Sequence, residues 1–100
     1  MEAPEMQSKL DHLRARIAYV SATITELLGV RHALSIDIGK EKQRLGIPIR
    51  DPDREATLIR HLVNWNTDRV PSELIEAVFK VIMEHSVVAQ DQRTNRPNTG

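Results

Sequence analysis

Residues 9–45, KLDHLRARIAYVSATITELLGVRHALSIDIGKEKQRL, contain no proline and repeat their apolar side chains in a helical rhythm. Leu10, Ile17, Ile24 and Ile38 fall in one column, and Leu13, Val20, Leu27 and Leu34 in the column three residues on, the pattern of an amphipathic helix. Gly29 and Gly39 each cost about 1 kcal/mol relative to alanine, but the periodicity runs through both, so the reading is one long helix. A break near Gly29 is the alternative. Such a helix is a rod of about 54 Å, whereas a compact domain of this length has a radius of gyration of ~13 Å. The rest of the chain is too short to wrap the rod, and the apolar stripe calls for a second subunit, in a homodimer or higher oligomer.

Working outward, Gly46 is a helix stop and Pro48 forbids continuation. In DPDREATLIRHLVNW, Asp51 reads as an N-cap and Pro52 as the first helical residue, with Asp53 and Glu55 in the first turn, where the helix dipole favours anions. Leu58, Ile59, Leu62 and Val63 supply the apolar face of this second helix. After the loop NTDRVPS, Pro71 opens a third helix over 72–92, with Ile75, Val78, Phe79, Ile82 and Met83 facing inward. The expectation is an all-α chain of three helices with a very long first helix, one domain over residues 1–100, and flexible tails at 1–8 and 92–100.

Composition narrows the functional classes. Fourteen Lys plus Arg balance fourteen Asp plus Glu, so no global positive field draws the chain to nucleic acid or anionic lipid. Cysteine is absent, which excludes a disulfide framework, a thiolate nucleophile and a cysteine-ligated zinc site. His12, His32, His61 and His85 show no metal-binding spacing. No apolar run approaches the ~20 residues that span a bilayer, so the expected location is the cytoplasm and no membrane partner is expected.

Polar residues interrupt the apolar stripes at chosen places. Arg31 shares the column of Ile17, Ile24 and Ile38, where a cation needs an anionic partner. Lys42 lies about three turns on, on nearly the same face, with Ser35 and Ile38 between. Ser86 and Gln90 continue the inward face of the third helix, and Asp51 and Glu55, four apart, lie at the end of the charged corner GKEKQRLGIPIRDPDRE (39–55), beside its lysines. Taken singly, each has an ordinary explanation: a snorkelling cation, a cap, a dipole partner, or a hydroxyl bonded back to its own helix. Their convergence suggests a closed site for a small dianion.

LRARI (13–17), Arg31, GKEK (39–42), RDPDRE (50–55) and SVVAQ (86–90), in that order and spacing, resemble the all-helical chorismate mutases over roughly residues 10–90. The resemblance implies an intertwined homodimer with two equivalent sites, each completed by an arginine from the neighbouring first helix, and no cofactor or metal. It implies that Arg14 of the partner subunit and Arg31 bind the two carboxylates of chorismate. Lys42 and Gln90 would address the ether oxygen, Glu55 with the backbone at Asp51 would hold the ring hydroxyl, and Arg54 and Ser86 would complete the network. The ions at 39–55 would then form one wall of an active site. Ser21 and His85 stand where the family often has an acid. The implied reaction, chorismate to prephenate in aromatic amino acid biosynthesis, is a pericyclic shift that asks only for conformational binding and stabilisation of charge on the ether oxygen. Two alternatives keep the fold, a mutase acting on 4-amino-4-deoxychorismate in secondary metabolism and an isochorismate-pyruvate lyase, and a third is a helical dimerisation module without catalysis.

Overall fold

The computed structural model describes residues 4–66 and 68–91. Three helices carry the described chain: α1 spans Pro4–Leu45, α2 Pro52–Trp65 and α3 Ser72–Gln90. By its packing the chain divides into two units, Met1–Arg31 and His32–Gly100.

In the first unit the chain is helical from Pro4. The helix begins five residues before Lys9, so the expected amino-terminal tail is helical from residue 4 onward; proline suits the first turn of a helix and no proline or glycine follows until Gly29. Helicity continues through Gly29 without the anticipated alternative break, since adding residues to an existing helix is far easier than starting one. Leu10, Leu13, Ile17, Val20, Ile24 and Leu27 are all exposed in the single chain. Among its described residues this unit has an apolar stripe and no buried side chain.

The second unit joins the end of α1 to α2 and α3. Gly46, at φ 69°, closes α1. Its N–H donates to Gln43 O at 3.2 Å and that of Ile47 to Lys42 O at 3.0 Å, the paired bonds of a Schellman cap, which place the residue after the helix at a positive φ best suited to glycine. At the start of α2 the Asp51 carboxylate accepts the Arg54 N–H at 3.2 Å, with Pro52 in the first turn, as the sequence predicts. Asn66 ends α2 and spans the following loop, its side chain bonding both the N–H and the carbonyl of Val70. The Pro71 carbonyl accepts from Leu74 and Ile75 to begin α3. That helix ends at Gln90, with Asp91 already extended, two residues short of the expected end at Gln92; the expected tail 92–100 lies outside the described residues.

α2 and α3 pack on each other. Met83 and Ala89 are buried and Ile75, Phe79 and Ile82 are half-buried, but Val78, expected to face inward, is 43% exposed. At about 100° per residue Val78 lies ~60° to one side of Ile75, while Phe79, Met83 and Gln90 turn to the other, so Val78 falls on the rim of the stripe. Leu58 in α2 is likewise exposed, while Ile59, Leu62 and Val63 are half-buried. Among the described residues no helix is long and apolar enough to cross a membrane.

Candidate active site

The last three turns of α1 bring Ser35, Gly39 and Lys42 onto one stripe, and α3 brings Ser86 and Gln90, four apart, onto the facing one. Ser35 lies opposite Ser86, with Oγ atoms 3.4 Å apart, and one turn later Gly39 lies against the main chain of Gln90. The two segments therefore run in the same direction, in register by one turn. Ser35 is a polar side chain buried within the fold, and Ser86 Oγ also donates to Ile82 O at 3.0 Å.

Lys42 is the centre of this arrangement. Its Nζ donates to Gln90 Oε1 at 2.7 Å and to the Ile49 carbonyl at 2.5 Å. Two of the three ammonium hydrogens are thereby committed to the protein, which leaves the third for a ligand. Because Oε1 of Gln90 accepts from Lys42, the end of that amide which offers hydrogens to a ligand is Nε2. A full cation and a neutral donor are thus fixed side by side. Lys42 also lines a pocket of about 320 Å³, together with Gly39, Gln43, Gly46, Ile47, Ile49 and Asp91.

Glu55 lines a different pocket, of about 390 Å³, with Arg50, Ile59 and Lys80 among its walls. Its Oε2 is buried without a hydrogen-bond partner among the described residues, a costly position for a carboxylate oxygen and one that suits a ligand hydroxyl. The Asp51 carbonyl accepts the Glu55 N–H at 3.1 Å and keeps a second lone pair, while its side chain is spent on the cap.

The remaining ions of the 39–55 corner have other work. Glu41 and Arg44 pair on the exposed surface, and Arg44 holds the Glu41 carboxyl below its ordinary pKa. Arg50 reaches across to α3, where its Nη2 lies 3.0 Å from both oxygens of Glu84. Glu84 raises the Arg50 pKa, and Glu55 contributes in the same direction. Of the corner's ions, Lys42 lines the first pocket and Arg50 and Glu55 line the second. Arg54 is exposed. Arg14 and Arg31 belong to the first unit; Arg14 lies 3.9 Å from Asp11 on the surface, and Arg31 is half-buried. Sequence reasoning passed over two contributors. Ile49 acts through its carbonyl, which leaves no mark on residue type, and Gly39 looks in sequence like a weak point of the helix.

The fold defines an all-helical protein in which a cation and an amide, Lys42 and Gln90, are paired across two helices. The model of the type II chorismate mutase family matches residues 13–91. Chorismate mutase of Methanocaldococcus jannaschii is 32% identical over 90 residues, covering 87% of this chain and 89% of that protein. The structure of chorismate mutase form II from Thermus thermophilus superimposes with a TM-score of 0.80 at 30% identity, covering 85% of this chain and 97% of the other. The bifunctional chorismate mutase/prephenate dehydratase of Escherichia coli K12 is 32% identical over 79 residues, which are 78% of this chain and 20% of that longer protein. The chain belongs to the type II chorismate mutase family, and its activity is the isomerase activity of that family.

Proposed function

We propose that the chain works as a cytoplasmic homodimer, each site built from both subunits, converting chorismate to prephenate. The observation that carries the assignment of residues is the Lys42–Gln90 pair, 2.7 Å apart and anchored to the Ile49 carbonyl. In the reaction the ether C–O bond breaks as a C–C bond forms within one molecule, and negative charge grows on the departing oxygen. Lys42 meets that charge as a cation and Gln90 as a neutral donor, both held in place before the substrate enters. Arg31 and Arg14 of the partner subunit take the two carboxylates and draw the substrate into its folded, reactive shape. Ser86 and Arg54 extend that network. Glu55 Oε2 and the Asp51 backbone receive the ring hydroxyl.

The exposed stripe of the first unit supports the dimer, since Ile17, Val20, Ile24 and Leu27 have no cover within one chain and such stripes mark subunit interfaces. The unpartnered oxygen of Glu55 also suits an ammonium, which keeps 4-amino-4-deoxychorismate as a second reading. Assaying the purified full chain against chorismate, the amino analogue and isochorismate separates the readings. Prephenate formation with kcat/KM highest for chorismate is the expected result. Preference for the amino analogue would move the enzyme to the second reading, and pyruvate release from isochorismate would make it a lyase.

A further inference from the structure

Gly29 and Gly39 stand in the same helix and in opposite surroundings. A Cβ at Gly29 meets nothing within 4 Å, whereas one at Gly39 would lie 2.2 Å from the Gln90 carbonyl oxygen, 2.6 Å from its Cα and 2.7 Å from its carbonyl carbon. All three are main-chain atoms, so no change of rotamer relieves the clash. Less than one turn further, Lys42 Nζ reaches Oε1 of the same Gln90 at 2.7 Å.

We infer that Gly39 is a positioning residue for the reaction: its missing side chain sets how closely the last turn of α3 lies on α1, and this closeness brings the Gln90 amide within bonding reach of Lys42. The inference rests on the mutase reading. A methyl group at residue 39 forces the Gln90 main chain back by about 1 Å before ordinary contact is restored. The Lys42–Gln90 bond is then stretched beyond hydrogen-bonding range, and a displacement of that size at a reacting centre costs on the order of a hundredfold in rate.

The test compares full-length Gly39→Ala, Gly29→Ala, Gln90→Ala and the double variant Gly39→Ala/Gln90→Ala for kcat, KM and the side-chain amide NMR signals of Gln90, assigned by their loss in Gln90→Ala. Gly39→Ala should lower kcat roughly a hundredfold with KM changed by less than about threefold, and should shift the Gln90 amide signals. Gly29→Ala should match the wild type in both. The double variant should be no slower than Gln90→Ala alone, because Gly39 acts through Gln90. Wild-type turnover in Gly39→Ala, unmoved Gln90 signals, losses that multiply in the double variant, or a Gly39→Ala chain that does not fold would each overturn the inference. A wild-type chain that makes no prephenate would instead defeat the mutase reading, and the NMR comparison would still judge the role of Gly39.

Discussion

Replacing Lys42 by alanine removes the cation that the second unit fixes beside Gln90. Its ammonium is held by Gln90 Oε1 at 2.7 Å and the Ile49 carbonyl at 2.5 Å, so little reorganisation is needed as charge develops on the substrate. A unit charge facing about half a charge at ~3 Å, with an effective dielectric of ~20, contributes roughly 3 kcal/mol. Lys42 also orients the Gln90 amide, and loosening it forfeits about 1 kcal/mol more, the net worth of a neutral hydrogen bond. The sum, about 4 kcal/mol, predicts a loss in kcat/KM of roughly a thousandfold. Disappearance of chorismate absorbance measures the rate; circular dichroism and gel filtration check that fold and oligomeric state persist. An intact Lys42→Ala protein within about tenfold of wild type would refute the electrostatic role given to this residue.

Three further outcomes follow from the geometry. Glu55→Leu removes the buried, unpartnered carboxylate oxygen, so the ligand-free protein should gain about 1 kcal/mol in denaturant titration while KM for chorismate rises roughly tenfold or more; a destabilised fold with unchanged KM would contradict this use of Glu55. Asp51→Ala loses the bond to the Arg54 N–H and should destabilise the fold by about 1 kcal/mol, with Asp51→Asn close to neutral; equal melting curves for all three proteins would count against the cap. Arg44 lowers the Glu41 pKa, so this exposed pair adds its small stabilisation above the ordinary carboxylate pKa and loses it as pH falls through the lowered value. Melts of Glu41→Gln and wild type should therefore differ slightly at neutral pH and low salt and merge in acid, and a gap that widened in acid would argue the opposite.

The long helix was legible because periodicity is a signal spread over many apolar residues, strong enough to outweigh two glycines. Its start was not, because Glu2, Glu5 and Gln7 look like a solvated tail whether or not they are helical. Caps were readable at Gly46 and Asp51, where a single residue type does a local job. The pairing of Lys42 with Gln90, 48 positions apart, came from family resemblance, since no local pattern announces a contact between separate helices. Gly39 shows the limit most plainly. Propensity scores a helical glycine as a defect, and only the neighbouring backbone of Gln90 reveals why a side chain is excluded there. Glu55 lines a pocket with Arg50 of the same corner and with Lys80 of α3, and the second of these neighbours, 25 positions away, leaves no local mark in the sequence.

The claim that sites are shared between two chains is tested most directly by mixing Arg14→Ala and Lys42→Ala subunits. Each parent dimer has two damaged sites, but a mixed dimer keeps one site with an intact Lys42 facing an intact arginine from its partner. With free exchange half the dimers are mixed, so activity should return to about a quarter of the wild-type value. No recovery, with exchange verified by mass spectrometry of differently tagged chains, would contradict the account.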